Sequence, residues 1–190
     1  MSCFYWCVEP LKFKVMKKFY ALLGLFSFGG LCACSNEHLN TSTVAELDLN
    51  RYVGKWYEIA RFDHRFERGL VGCTATYTLQ ENGFIKVVNA GYKKTLDGKY
   101  KESVGKARRP DENNPGKLEV AFFANFYADY YVLELADDYR YALVGSKSDK
   151  YLWILSRTPQ MSESDLDFVL KRAQERGYNM NKLVWVEQRK

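Results

Sequence analysis

From Trp56 to Arg157 the chain never settles into a helical period; it breaks into eight short apolar or alternating runs, each closed by turn residues. The runs are 56–62, 72–80, 84–92, 101–108, 117–124, 130–136, 140–146 and 151–157. Strand-length segments at this even spacing belong to antiparallel barrels and sandwiches. Glu81-Asn82-Gly83 reads as a hairpin turn, because Asn and Gly take positive φ at little cost. Pro110 to Gly116 and Asp137-Asp138 mark further connections. Eight such strands close into an up-and-down barrel, which leaves no free edge and an interior wide enough for side chains or one small ligand. The expected fold is therefore all-β, an eight-stranded antiparallel up-and-down barrel.

The pattern changes after Pro159. Ser162-Glu163-Ser164-Asp165 resembles a capping box, and Leu166, Val169, Leu170 and Ala173 recur at helical spacing. Gly177 stands where a helix stops. This C-terminal α-helix must lay its apolar stripe on the barrel wall, and Lys182 to Glu187 follows as a short final strand. Before the barrel, Val44 to Val53 is expected to close the floor as a short helical turn.

Further upstream, Met16-Lys17-Lys18 leads into the apolar stretch Phe19 to Phe28 and then Leu31-Cys32-Ala33-Cys34. A positive start, an apolar middle and small residues before a cleavage point make a secretory signal. The apolar stretch is shorter than the ~20 residues that span a bilayer. Leu31 to Cys34 resembles a bacterial lipobox, in which the cysteine takes the lipid and becomes the new N-terminus. The expected organisation is an upstream extension over 1–15 from a start codon set too early, a lipoprotein signal peptide over 16–33, a polar tether over 34–43 and one domain over 44–190.

Removing residues 1–33 leaves 157 residues, the size of one domain, with 24 basic side chains against 22 acidic ones. That near-neutral balance carries no nucleic-acid footprint. Cys34 and Cys73 are the cysteines left, so with Cys34 given to lipid no internal disulfide is available. His38 and His64 cannot build a zinc site or an oriented triad, and phosphate-binding glycine loops are absent. No metal, cofactor or catalytic residue is expected. Cys73 is the one candidate nucleophile; a strand cysteine without an electropositive partner is more often a small buried hydrophobe.

Gly54-Lys55-Trp56-Tyr57-Glu58-Ile59-Ala60-Arg61 and Trp153-Ile154-Leu155-Ser156-Arg157-Thr158-Pro159 resemble two signature motifs of the lipocalins. The resemblance covers 44–188. It implies that Trp56 plugs the closed end of the barrel, that Arg157 lies across the indole, and that Gly54 belongs to the same structural signature. Asp138-Tyr139-Arg140-Tyr141-Ala142 stands where the middle motif belongs, one residue short and without its threonine, and Ser156 replaces the usual glycine. The longer stretch from Gly54 to Leu70 is similar to the bacterial outer-membrane lipoprotein lipocalins, relatives of apolipoprotein D. That likeness implies a carrier of fatty acids or lysophospholipids, anchored through Cys34 in the outer membrane and facing the periplasm. A homodimer stays open. So do two other readings: a lipid- or isoprenoid-modifying enzyme using Cys73, and an envelope scaffold that transports nothing.

Strand alternation sends about half of the barrel aromatics inward. The candidate ligand contacts are Phe66, Tyr77, Tyr92, Phe123, Tyr131 and Tyr141, with Arg65 and Arg68 near the mouth. Glu58 shares parity with Trp56, so an unbroken strand points it inward and a bulge would turn it out. If Trp56 marks the floor, the loops 63–71, 92–101, 124–129 and 145–150 form the mouth and carry a surplus of positive charge. The opposite loops carry a negative surplus, so the mouth is expected to attract anionic head groups.

Overall fold

The computed structural model describes residues 39–189; Cys34, the signal peptide and the extension before it fall outside them. The strands are β1 (Gly54–Phe62), β2 (Leu70–Leu79), β3 (Ile85–Lys93), β4 (Tyr100–Arg108), β5 (Lys117–Ala121), β6 (Ala128–Leu135), β7 (Tyr141–Gly145), β8 (Leu152–Ser156) and β9 (Leu183–Trp185). They pair antiparallel in the order β2-β3-β4-β5-β6-β7-β8-β1-β9, and β1 pairs back onto β2, which closes β1–β8 into a barrel. The lower half of β1 meets β2 from Gly54 to Tyr57, whereas its upper half, Ala60 to Phe62, meets β9. The chain after β9 fills the gap between β1 and β2. Gly72 donates its N–H to the Glu187 carbonyl at 2.6 Å, and the Gln188 amide donates to the carbonyls of Glu58 and Cys73.

A short helix, α1 (Leu49–Tyr52), lies under the barrel, and the Asp48 side chain caps it by accepting from the Asn50 N–H. The outer helix, α2 (Glu163–Glu175), begins on Ser162, whose hydroxyl accepts from the Asp165 N–H. Gly177 follows with φ +89°, a conformation glycine adopts without strain, so the helix stops there. Val169 and Ala173 are fully buried against the outer wall formed by Leu133, Leu143 and Ile154. Among the described residues no helix is long and apolar enough to cross a membrane.

Two apolar layers result. One fills the lower barrel, with Trp56, Tyr52, Tyr77, Val87, Leu118, Val132, Val144 and Leu155; the other lies between barrel and helix. Three elements are shorter by three residues or more than the sequence pattern predicts. β5 ends at Ala121 rather than at 124, because Phe122 and Phe123 turn out into a loop and Ala124 takes φ +48°. The last strand is confined to Leu183–Trp185 behind a 3-10 turn over Met180–Lys182, and the helical turn of the floor to Leu49–Tyr52.

Candidate ligand-binding interior

The floor is built from three chain segments. Trp56 is fully buried and donates its indole N–H to the Tyr52 carbonyl at 2.8 Å. The Arg157 guanidinium lies 3.8 Å from the centre of the indole ring. It also donates to the carbonyls of Arg51, Tyr52 and Lys55 at 2.6, 3.0 and 3.0 Å. One side chain thereby satisfies the end of α1 and the start of β1 while covering the tryptophan face. Gly54 makes room for it. Its φ is +98°, and a Cβ there would stand 3.4 Å from Arg157 Nη1.

Above the floor three tyrosines converge. Tyr130 shares hydrogen bonds with the hydroxyls of Tyr52 (2.7 Å) and Tyr77 (3.0 Å). Burial raises all three phenols, so they are neutral at any physiological pH. Two contacts among three hydroxyls occupy two protons and leave one free to donate. Around and above them the inner layer is mostly apolar and not fully buried. Ala75, Val120, Tyr130 and Trp153 line the inner layer and are only half-buried.

A charged cluster stands against the β1–β2 side near the mouth. The Arg61 guanidinium donates to Glu58 Oε1 at 2.7 Å, to the Glu67 carbonyl at 2.7 Å and to the Leu70 carbonyl at 3.3 Å. Glu58 and Arg61 are 5% and 2% exposed. Burial, with Glu67 nearby, pushes the Glu58 carboxyl up to about 8 against the pull of Arg61. Burial also acts on Glu67, but its contacts with His64 and with the Trp153 N–H at 3.1 Å hold it below the usual carboxylate range. His64 Nε2 lies 3.0 Å from Glu67 Oε2 without the alignment of a hydrogen bond. Cys73 Sγ is 3.8 Å from Arg61, and burial pushes its thiol well up, which opposes a thiolate nucleophile. Among the described residues no group of three His, Cys, Asp or Glu side chains could hold a metal ion.

The bulge considered for β1 exists, but it falls after Glu58. Pairing with β8 shifts between Glu58 and Ala60, so Ile59 and Ala60 both face the outer layer. Glu58 therefore stays inward and Arg61, not Ala60, is the next inward residue. The other candidates divide. Tyr77 lies in the interior. Tyr141 packs outside against Phe168 of the helix, and Tyr131 joins the same outer layer. Tyr92 stacks edge-on with Tyr100 outside the barrel, with Arg189 above its ring. Phe66 and Phe123 are 68% and 76% exposed on mouth loops. Arg65 lies over Phe66, and Arg68 is paired to Asp63 at 2.8 Å. Tyr52, Tyr130, Glu58, Arg61 and Trp153 thus line the interior in place of Phe66, Tyr92, Phe123, Tyr131 and Tyr141. Two grooves mark the outside. One of about 350 Å³ runs between Ile59, Met161, Leu166 and Trp185; one of about 530 Å³ lies at the rim beside His64, Arg65 and Tyr151.

A barrel closed at one end by a tryptophan under a crossing arginine and braced by one outer helix is the architecture of the lipocalins. Residues 47–188 match the Lipocalin-like domain, and the chain belongs to that family. It is similar to the outer membrane lipoprotein Blc of Vibrio cholerae serotype O1, at 42% identity over 159 residues, covering 83% of this chain and 92% of that one. Apolipoprotein D of Rattus norvegicus is 37% identical over 132 residues, covering 64% of this chain and 67% of its own length. Among solved structures, insecticyanin of Manduca sexta shares the fold with a TM-score of 0.64 at 22% identity, covering 80% of this chain and 86% of that one.

Proposed function

We propose that this protein is a membrane-anchored lipocalin that binds and carries amphipathic lipids, fatty acids or lysophospholipids, in the bacterial envelope. The observation that carries the reading is the half-buried inner wall: Ala75, Val120, Tyr130 and Trp153 face inward, are mostly apolar and are not fully covered by other side chains. A wall of that kind gains free energy by taking an acyl chain, at roughly 25 cal/mol per Å² of apolar surface removed from water. Tyr77, Tyr130 and Trp153 would touch the chain, and Arg65 and Arg68 would meet an anionic head group at the mouth. Cys34, at the end of the lipobox, would carry the acyl anchor in the periplasmic face of the outer membrane. The name outer membrane lipoprotein borne by the Vibrio cholerae relative agrees with that placement.

An environment-sensitive fatty acid titrated into the full chain should brighten on binding and quench Trp153 emission. Ala75→Phe adds bulk at an inward position and should weaken binding about tenfold with the melting temperature held. Undiminished binding in that variant would place the ligand outside the barrel and contradict the reading. The alternative use of Cys73 as a nucleophile has the buried, protonated thiol against it.

A further inference from the structure

The four loops at the mouth alternate in chemistry. The β1–β2 loop raises Phe66, and across the barrel the β5–β6 loop raises Phe123 and Phe126, each 76% exposed. Phe123 and Phe126 stack with ring centres 6.1 Å apart and planes within 9°, so they form one apolar prong. The β3–β4 and β7–β8 loops lie between these two and carry exposed Lys94, Lys99 and Lys150. The acids of the same two loops, Asp97 and Asp149, are already paired to Arg189 and Lys182. Exposed phenylalanines beside lysines are poorly suited to water and well suited to the head-group layer of an anionic bilayer.

The N-terminal segment heads the same way. Going backwards from α1, the Leu47 carbonyl accepts from Arg109 at the closed end, the Val44 N–H reaches Val132 within β6, and the Asn40 N–H reaches the Arg176 carbonyl. Just beyond Arg176, Tyr178 packs against Gly145, the last residue of β7, at the mouth. The chain thus passes from the floor across β6 at Val132 to the C-terminal end of α2. Cys34 is six residues before Asn40, a reach of at most ~20 Å.

We propose that the barrel lies mouth-down on the membrane that holds Cys34, with Phe66 and the Phe123–Phe126 prong in the head-group layer and the mouth lysines over anionic phospholipid. The orientation rests on the proposed lipid anchor, and it lets a lipid pass between leaflet and barrel without crossing water.

The test uses the mature lipoprotein in vesicles of phosphatidylethanolamine and phosphatidylglycerol with brominated acyl chains. Tryptophan is placed at the prong (Phe123→Trp) or, as a control, at the closed end (Leu79→Trp), and each is compared with the parent protein. The added emission at 123 should be blue-shifted and more than half quenched, and that at 79 should be unquenched. Quenching at 79 alone, or at neither site in vesicle-bound protein, overturns the orientation. A blue shift at 123 without vesicles, accompanied by a dimer mass, overturns it in favour of a second copy on the prong. Loss of vesicle association altogether removes the anchor and the orientation with it. Phe123→Ser with Phe126→Ser should slow extraction of a fluorescent fatty acid from the vesicles at least about tenfold, with affinity in solution unchanged.

Discussion

Arg157→Ala isolates the floor from the ligand. The guanidinium sits 3.8 Å from the centre of a fully buried indole, where the cation–π contact contributes about 1–2 kcal/mol. Its hydrogen bonds to the carbonyls of Arg51, Tyr52 and Lys55 add about 0.5–1 kcal/mol each, since water can reach these half-exposed groups and replace part of the loss. The total is about 2.5–5 kcal/mol. In a domain of this size each 1 kcal/mol moves the melting temperature by about 2–4 °C, so the variant should melt about 5–20 °C lower. Arg157→Lys keeps a cation but loses the planar group that reaches the carbonyls of Arg51, Tyr52, Lys55 and Tyr139, and should recover less than half of the difference. Fatty-acid affinity should stay within about twofold of the parent, because the whole of Trp56 lies between Arg157 and the interior. Scanning calorimetry and a fluorescence titration on the same samples read both quantities. A large affinity loss at unchanged melting temperature would make Arg157 a ligand contact and refute the reasoning.

Glu58 should make stability fall with rising pH. Its carboxyl is pushed from an ordinary value near 4.5 up to about 8, so the fold favours the protonated form; that contribution is full below about 4.5 and is lost as pH rises through about 8. Glu58→Gln, neutral throughout, should lose less stability than the parent across that window, and parallel melting curves would speak against the buried carboxyl. Cys73 should resist alkylation by iodoacetamide at neutral pH until the protein unfolds, and Cys73→Ala should bind lipid normally; fast labelling in the folded state would point to an accessible thiolate. Fatty-acid binding should weaken as salt passes about 0.15 M, where the screening length is about 8 Å, while a neutral analogue of equal chain length barely responds. Arg65→Glu with Arg68→Glu should weaken the anion alone, and equal responses from both ligands would remove the electrostatic role of the mouth.

The strands were legible because turn residues separate them, and the helix because Ser162 and Gly177 bracket an apolar stripe with a helical period. Trp56 and Arg157 could be paired from their motifs a hundred residues apart. The interior was harder. β7 is buried along its whole length, since α2 covers its outer face, so no alternation distinguishes Tyr141 outside from Ala142 inside. Tyr130 and Tyr131 are adjacent, so one alone can face inward, and nothing local shows that Tyr130 does. Arg61 was hidden by the bulge at Ile59-Ala60, which resets the parity of β1 through pairing with a strand almost a hundred residues away. Tyr52 precedes the first strand and enters the interior only because α1 folds under the barrel.

The central claim is that an amphipathic lipid occupies the barrel in its native envelope. Mass spectrometry of the organic extract from the full-length lipoprotein, purified from membranes in mild detergent beside Ala75→Phe, tests it most directly. Fatty acid or lysophospholipid should accompany the parent protein at close to one molecule per chain and be depleted in Ala75→Phe. Equal amounts of lipid with both proteins, or none with either, would contradict it.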